Sequence, residues 1–535
     1  MASPLKHPFN DPSADVILAS SDNVPFKLHK VILSLGSEFF KAMFSLSQPK
    51  PLASVDPQIN DPIADAEIDG LPVIHVSEPS EVLSKLFRLC YPMDNPHLTT
   101  IDEVAAVLTA ALKYELRKPI QMTSRRLRKL MPAASVRVYA IACRLDLEDE
   151  ARAAAVAIRE KKLQNEYAAE LEDISIGAYH RLLYYCETGI DPGGLFFTRR
   201  PTQRLKGDMN KFIKLQPSSV SYASGSITLP ESSSSLPMAP VLAPPPHPTI
   251  AKYPFNLADP EFVITTSDGV AFKLSQSFVM LAFPVLFDMA RDVLTPSRIQ
   301  IPESSEVLDI VLRIYSPVEN PSVTDLAVLD SALIAAAKYK MKKAVHFLHQ
   351  ALASRADVPT ADPFALYTIA CRHDLRDLAL TAARRTLRME LTKTLRPEVE
   401  AIDISAGYLY RLLDYHRRCR ETIHIIRAND SWIDGEFRSR LLGFCHRPYS
   451  SNSLPCWYST YMKAVGQEGW PSPDSVAADD VLTAALPPSS YSCSYCHINK
   501  GVILLFKFSK YVAATIARLE SEVREEFNTL CNPIY

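Results

Sequence analysis

Apolar and polar positions near the start of the chain predict a β-hairpin that runs into a helix. Residues 15–20 form a short β-branched run, residues 21–23 supply a polar turn that would fold it back as a hairpin, and residues 24–28 are predicted to form the second strand. After the hairpin, apolar side chains recur at the spacing of a helix, at Ile32, Leu35, Phe39 and Met43. This pattern indicates a small sheet with a helix packed on it.

The same order of elements recurs about halfway along the chain. Residues 262–266 and 270–274 repeat the two strands around a Ser-Asp-Gly turn, and a helical run follows them. A third strand is predicted at residues 73–76 in the first copy and 298–301 in the second. Each is followed by the tetrapeptide Ser-Glu-Val-Leu, with Ser80 and Ser305 placed to cap a helix. One fold is therefore predicted twice.

The helical parts of the two copies repeat more closely still. Residues 139–147 match residues 367–375 at seven of nine positions, and residues 174–183 correspond to residues 404–413. Duplication of the whole unit explains this pattern. Cys143 and Cys371 are identical in the two copies; they fit either small buried thiols or catalytic nucleophiles, and their apolar helices favour buried thiols.

The first hairpin and helix resemble the BTB/POZ domain, whose hallmark is a hairpin ending in an apolar-x-apolar-x-x-His-Lys segment. The motif positions are filled by Asp15, Val24, Phe26, Leu28, His29, Lys30, Leu33, Ser37, Phe39 and Phe40. The second copy keeps the apolar positions but has Ser275 and Gln276 for the His-Lys pair, and Glu261 for the Asp. The resemblance implies an α+β fold with two BTB/POZ-like domains, each a small sheet packed with helices.

The predicted domain organisation follows from these copies and from composition. It comprises an N-terminal arm (1–12), a first BTB-like domain with a helical extension (13–190), a linker (191–250), a second, divergent domain (251–416) and a C-terminal region (417–535). The linker is rich in Pro and Ser, so it cannot bury enough apolar surface to offset its chain entropy. The insertion at residues 48–71 of the first copy is predicted to be a surface loop.

The C-terminal region has no counterpart in the first copy. It carries all three Trp residues, and its order of aromatic residues, cysteines and terminal helix resembles the tail of fungal BTB-like proteins. The terminal helix is predicted to be amphipathic, with one apolar face formed by Val512, Ile516, Leu519, Val523 and Phe527.

Four cysteines of this region form a candidate metal site. Cys493 and Cys496 have the spacing with which two thiolates bind one tetrahedral zinc ion, and Cys445 and Cys456 would complete the set. The 11-residue separation of Cys445 from Cys456 departs from a zinc knuckle, so buried thiols without a metal remain the alternative. No other cofactor is predicted.

Composition and charge restrict the classes of partner. A formal charge of −2 over 535 residues provides no field for nucleic acid or anionic membranes, and no apolar run reaches the ~18 residues of a membrane span. The first residues lack the apolar core of a secretory signal. We therefore expect a soluble intracellular protein with reduced thiols; cytoplasm and nucleus stay open.

The motifs of common enzymes are missing from the sequence. It contains no P-loop, no Gly-x-Gly-x-x-Gly, no nucleophile elbow and no His-Glu-x-x-His. We therefore predict a non-enzymatic adaptor or scaffold that binds proteins through tandem BTB-like domains. The alternative is a zinc-dependent nucleic-acid-binding regulator that uses the C-terminal cysteines. Cullin-type ligases bind some relatives through an apolar-x-Glu element beyond the first helix, which residues 45–51 and 288–294 do not contain.

What the resemblance implies for partners is self-association through the hairpin and first helix. The residues expected at this surface are Val16, Leu18, Ile32 and Phe40 in the first copy, and Val263, Phe278 and Leu286 in the second. Residues 217–249 would span roughly 30 Å as a flexible chain, a reach that favours pairing of the two copies within one chain.

Overall fold

The computed structural model describes residues 8–46, 67–190, 197–198, 249–285, 297–393, 399, 402–442, 454–465, 475–486 and 499–530. The chain forms two compact units. The first contains Met1–Arg204 and Glu390–Asp414, and the second contains Leu205–Met389 and Tyr415–Tyr535. We call residues 8–190 the first segment, residues 249–414 the second segment and residues 417–535 the tail. Within the described residues, no helix is both long enough and apolar enough to cross a membrane.

A four-stranded sheet forms the start of the first unit. Its strands are β1 (Val16–Ala19), β2 (Pro25–Leu28), β3 (Glu67–Ile68) and β4 (Leu71–His75), in the order β2-β1-β4-β3. β1 runs antiparallel to β2 and parallel to β4. The predicted hairpin and third strand are confirmed. Residues 48–66 of the predicted insertion loop lie outside the described residues, but its last residues form β3 and the start of β4 instead of a loop.

Eight α-helices follow in the first segment's described residues. They are α1 (Lys30–Gly36), α2 (Glu38–Ser45), α3 (Ser80–Cys90), α4 (Ile101–Lys113), α5 (Arg117–Leu130), α6 (Ser135–Arg144), α7 (Glu148–Lys161) and α8 (Ile176–Thr188). The single helical run predicted after the hairpin is interrupted at Ser37, whose backbone is extended at φ −150°. The Ser37 hydroxyl accepts a hydrogen bond from the Phe40 amide and donates one to the Tyr114 carbonyl at 2.5 Å. Ser37 therefore starts a second helix and ties it to the end of α4.

The residues before β1 are part of the core of the first unit. Phe9 is buried, and its carbonyl accepts a hydrogen bond from the Lys27 amide at 3.0 Å. Its ring packs against Phe26, Phe87 and Tyr91 with centroid separations of 5.5 to 5.9 Å. The part of residues 1–12 that the structure describes is thus tied to the sheet by a ring and a backbone hydrogen bond.

The second unit contains a sheet in which three strands repeat the directions of β1, β2 and β4. Its strands are β5 (Thr249–Ile250), β6 (Phe262–Thr265), β7 (Val270–Leu274) and β8 (Ser297–Gln300), in the order β5-β7-β6-β8. β6 runs antiparallel to β7 and parallel to β8. Phe255 takes the place of Phe9: it is buried, and its carbonyl accepts a hydrogen bond from the Lys273 amide at 2.9 Å.

The remaining helices complete the second segment and the tail. They are α9 (Gln276–Ala282), α10 (Ser305–Arg313), α11 (Leu326–Lys338), α12 (Lys342–Ala353), α13 (Pro363–Arg372), α14 (Arg376–Thr386), α15 (Ala406–Ala428), α16 (Gly435–Leu441), α17 (Tyr458–Ala464), α18 (Asp479–Ala485) and α19 (Asn499–Leu530). The predicted terminal helix is confirmed as α19, and Val512 and Ile516 of its apolar face are buried.

Phe508 lies at the centre of the tail. It is fully buried on α19, and its ring lies within 6.5 Å of six other aromatic rings, those of Trp432, Phe437, Trp457, Tyr458, Tyr461 and Tyr511. The aromatic residues of the tail therefore form a core around its terminal helix.

Candidate functional site

Helix α1 presents an exposed apolar face beside the first sheet. Val31 and Leu35 are 62% and 84% exposed, and their spacing of four residues places them on the same side of the helix. The other side of α1 carries Leu33, which is fully buried. Helix α1 is therefore fixed to the domain by one side and offers an apolar ridge with the other.

The first helix of the second segment has a comparable face. On α9, Met280 and Leu281 are 56% and 66% exposed, and Leu281 stands where Leu35 stands in the first segment. Val279 is buried on the side that faces the sheet. An exposed leucine at the same position of both helices is a feature that sequence periodicity missed, because Leu35 was assigned to the buried face.

The structure places the predicted interaction residues in different environments. Val16, Leu18 and Phe40 are buried in the core of the first unit, while Ile32, Val263 and Phe278 are half-buried. Leu286 lies outside the described residues. The prediction is therefore wrong for Val16, Leu18 and Phe40: every residue of β1 is buried, and Phe40 is the buried residue of α2. The large apolar side chains exposed in this region are Val31 and Leu35 on α1 and Leu46 just after α2.

His29 of the His-Lys motif is held by neighbours inside the first unit. Its backbone amide donates a hydrogen bond to the Tyr91 hydroxyl at 2.8 Å, and its ring nitrogens lie 3.2 Å from that hydroxyl and 3.0 Å from the Ser13 hydroxyl. The Asp15 carboxylate accepts a hydrogen bond from the Lys30 amide at 2.7 Å. These contacts orient the start of α1, and hence its exposed face.

The second segment orients its first helix with different residues. Glu261 accepts a hydrogen bond from the Gln276 amide at 2.6 Å, as Asp15 does for Lys30. Ser275, which replaces His29, caps α9 by accepting a hydrogen bond from the Phe278 amide. The motif residues differ, but the helix begins at the same place in the fold.

An ionic contact made by a half-buried glutamate recurs in both segments. Glu78 accepts hydrogen bonds from Lys113, at 2.7 Å, and from Tyr114; Glu303 does so from Lys338, at 2.7 Å, and Tyr339, at 2.6 Å. Burial raises the pKa of each carboxyl, but the hydrogen bonds outweigh burial, so the pKa values of Glu78 and Glu303 lie below their usual value. Both groups are therefore ionised at neutral pH and serve to join the sheet to the helices.

The candidate zinc ligands lie largely outside the described residues. Cys456 is half-buried, and Cys445, Cys493 and Cys496 are not described. Among the residues that are described, no cluster of His, Cys, Asp and Glu side chains is arranged to hold a metal ion. The zinc site stays a prediction.

The repeated cysteines of the helical parts are buried. Cys143 and Cys371 are both in the core, and burial raises the pKa of the Cys143 thiol to about 12. A thiol with so high a pKa is a poor nucleophile at neutral pH. Its placement favours the interpretation of these residues as small apolar core side chains.

Comparison with known proteins bears on the first segment. No curated protein matches the chain. The family model described as the BTB/POZ domain matches residues 6–130, which include the first sheet and helices α1 to α5. The BTB/POZ domain is in general a protein-interaction module that also mediates self-association, and the chain carries one at residues 6–130.

Proposed function

We propose that this protein is a non-enzymatic adaptor that binds other proteins through its BTB/POZ domain and through a second, divergent BTB-like domain in residues 251–416. The observation that carries the proposal is the match of residues 6–130 to the BTB/POZ domain, with an exposed apolar ridge on its first helix. The tail, which resembles that of fungal BTB-like proteins, is proposed as a further part of the same scaffold.

We assign the ridge formed by Val31 and Leu35 to self-association between two chains. Exposed apolar side chains of this size are costly to leave in water, and burial of one leucine contributes about 1.5 to 3 kcal/mol. Lys41 and Arg117 lie within 3.5 Å of the Glu38 carboxylate, at the start of the following helix. An apolar centre with charged residues at its edge is the usual composition of a protein interface.

The experiment compares the mass of the full chain by light scattering over a range of micromolar concentrations. The wild-type chain is expected to dimerise, and Leu35→Glu is expected to shift the equilibrium to the monomer, because it places a charge at the centre of the ridge. Val156→Glu is the matched control: Val156 is 38% exposed on α7, away from the ridge, and its substitution should leave the mass unchanged.

Two outcomes would contradict this proposal. A wild-type chain that stays monomeric at all concentrations would favour the predicted pairing of the two copies within one chain. A dimer that persists in Leu35→Glu would place the contact on another surface. Circular dichroism of the variant excludes unfolding as the cause, and a change at so exposed a position is expected to alter stability by no more than about 0.5 kcal/mol.

A further inference from the structure

The first unit contains a short antiparallel contact between the first and second segments. The Ile176 amide donates a hydrogen bond to the Ile404 carbonyl at 3.0 Å, and the Ala406 amide donates one to the Ile174 carbonyl at 2.8 Å. Ser175 and Ser405 face each other between these bonds. The contact joins residues that are 230 positions apart in sequence but belong to the same compact unit.

The residues of this contact occupy corresponding positions of the two duplicated decapeptides, residues 174–183 and 404–413. Ile174 and Ile404 are the first residues of the decapeptides, and each accepts a bond from the third residue of the other. A contact in which position i meets position j and position j meets position i has the reciprocity of a two-fold interface.

A second pair of contacts extends the same reciprocity. His180 and Tyr410 are the seventh residues of the two decapeptides. The His180 Nε2 atom lies 3.0 Å from the Leu391 carbonyl oxygen, and the Tyr410 hydroxyl donates a hydrogen bond to the Asn165 carbonyl at 3.2 Å. Each side chain thus reaches the backbone of the loop that precedes the other decapeptide.

One ionic contact breaks the symmetry. Glu172 accepts hydrogen bonds from the Ser405 hydroxyl at 2.6 Å and from the Arg411 guanidinium at 2.5 Å. The residue of the second segment that corresponds to Glu172 is Ile402, so the carboxylate is present on one side only. Gly407 lies against this carboxylate, and a Cβ atom at Gly407 would overlap it.

The arginine that corresponds to Arg411 has a different role. Arg181 is fully buried in the first segment, where it donates hydrogen bonds to the Phe197 carbonyl at 2.9 Å and the Thr198 carbonyl at 3.2 Å. A pair of two first segments would therefore set Glu172 against an arginine already bound to these carbonyls. A pair of two second segments would set Ile402 against Arg411 and remove its carboxylate partner.

We propose that the two segments bind each other through their duplicated decapeptides, and that Glu172 with Arg411 selects the pair of unlike segments over either pair of like segments. The surface is distinct from the ridge on α1, and its partner is the other segment of the same chain. The backbone hydrogen bonds would form in pairs of like segments as well as in the pair of unlike segments. Only the pair of unlike segments also gains the ion pair between Glu172 and Arg411.

Disulfide trapping in the full chain tests the contact. Ser175 and Ser405 form the non-hydrogen-bonded pair of the bridge, for which Cα atoms are typically about 4.5 Å apart, within the range of a disulfide. A protease site inserted between residues 205 and 248 separates the segments after oxidation. The variant Ser175→Cys with Ser405→Cys is expected to keep the two fragments covalently joined, and peptide mass spectrometry identifies the bond. A lack of this bond would overturn the proposal.

The selectivity is tested in chains that carry one added cysteine beside the ten native ones. Ser175→Cys alone and Ser405→Cys alone report like pairs, which would appear as disulfide-linked dimers of two chains. We expect the yield of these dimers to be less than about one tenth of the yield of the internal disulfide. A difference of this size is in keeping with the cost of removing a partner from a hydrogen-bonded charge pair. Similar yields for like and unlike pairs would contradict the selection.

A charge exchange separates selection from folding. Glu172→Arg and Arg411→Glu are each expected to lower the yield of the internal disulfide, because each brings like charges together. Glu172→Arg combined with Arg411→Glu is expected to restore a yield above that of either single variant. Equal disulfide yields for the two single variants and the double variant would show that the ion pair does not select the pair of unlike segments. Circular dichroism confirms that each chain remains folded.

Discussion

The first and second segments keep the same internal contacts while their surfaces and motif residues differ. Three residues recur at equal positions of the two segments: the acidic residue before the first strand of the hairpin (Asp15 and Glu261), the buried phenylalanine upstream of it (Phe9 and Phe255) and the half-buried glutamate (Glu78 and Glu303). The His-Lys pair is lost from the second segment. The same arrangement of sheet and helices thus forms with these recurring contacts and does not require that pair.

The comparison also separates two ways of starting a helix. In the first segment His29 is fixed by Tyr91 and Ser13 but provides no side-chain cap for α1. In the second segment Ser275 caps α9 directly. A serine at this position satisfies an amide of the helix with one short side chain, whereas histidine requires partners from other elements. The first segment therefore depends more on distant residues for the orientation of its exposed face.

The largest expected difference concerns the tail, which follows only the second segment. If Cys445, Cys456, Cys493 and Cys496 bind zinc, the metal contributes most of the stability of this region, since structural zinc binds with about 10 to 16 kcal/mol in small domains. Elemental analysis of the purified chain is expected to find about one zinc per chain. Cys493→Ser with Cys496→Ser should remove it, and Cys186→Ser, in the first segment, should retain it.

Two results would rule out the zinc site. One is a folded chain without stoichiometric zinc. The other is a Cys493→Ser with Cys496→Ser variant that keeps its zinc, which would assign the metal to other residues. In either case the aromatic core around Phe508 would be the feature that stabilises the tail.

The next largest effect is expected from the matched core residues Phe26 and Phe272. Each is buried, but Phe26 packs against Phe9 and Phe87 at 5.9 and 5.7 Å, whereas Phe272 packs against Phe255 at 5.8 Å. Phe26→Ala and Phe272→Ala should each lower the free energy of unfolding by about 3 to 5 kcal/mol. The loss at Phe26 should be larger by about 1 kcal/mol, because one further ring contact is removed.

Hydrogen exchange measured by mass spectrometry locates these losses. Phe26→Ala should speed exchange in β1 and β2, and Phe272→Ala should do so in β6 and β7. Leu35→Ala is the control, since Leu35 is 84% exposed and its loss creates no cavity. Equal losses for the two variants would mean that the additional ring of the first segment adds no stability.

The elements that sequence predicted are those defined by local pattern. The hairpin at residues 16–28 follows from two short, mainly apolar runs around a polar turn, and α19 follows from its apolar face. Phe9 was missed, although a Pro-Phe-Asn tripeptide precedes the sheet in both segments. The repeated tripeptide was a usable signal, but the residues around Phe9 do not show the pattern of a strand, so no role in the sheet was predicted for it.

The features that sequence could not predict depend on distant partners. The break at Ser37 is stabilised by the Tyr114 carbonyl, 77 residues away, and the ion pair of Glu172 joins it to Arg411, 239 residues away. Helical periodicity could not separate exposed Leu35 from buried Leu33 because apolar residues occupy both the exposed and the buried side of α1. Such features require the packing of the whole unit.

Acidification tests whether the half-buried glutamates, Glu78 and Glu303, act alike. The pKa of Glu78 and that of Glu303 lie below their usual value in the folded protein, so each adds stability above the pKa of the unfolded chain, and this stability is lost as pH falls through the folded pKa. Urea denaturation between pH 7 and pH 3 should show this loss. Glu78→Gln and Glu303→Gln should each cost about 1 to 3 kcal/mol at pH 7 and reduce the acid-dependent part. A variant with an unchanged pH dependence would contradict this assignment.

The smallest expected difference is at the start of α3 and α10, where an aspartate from the hairpin turn binds the first helical residue. Asp22 accepts hydrogen bonds from the Ser80 amide at 2.8 Å and hydroxyl at 2.5 Å, and Asp268 does so from Ser305 at 3.0 and 2.6 Å. The predicted caps Ser80 and Ser305 are thus the first residues of their helices, and the N-cap residues are Pro79 and Ser304.

Asp22→Ala should cost more than Asp268→Ala because the two helices differ at the N-cap. Pro79 offers no side-chain acceptor, whereas Ser304 accepts a hydrogen bond from the Val307 amide. We expect Asp22→Ala to lower the free energy of local opening of α3 by about 1 to 2 kcal/mol, and Asp268→Ala to lower that of α10 by about 0.5 kcal/mol. Hydrogen exchange in the two helices measures both values. Asp268→Ala combined with Ser304→Ala should raise the second loss to the level of the first. If the loss in the double variant stays small, contacts other than its caps stabilise the start of α10, and the two segments are not equivalent at this turn.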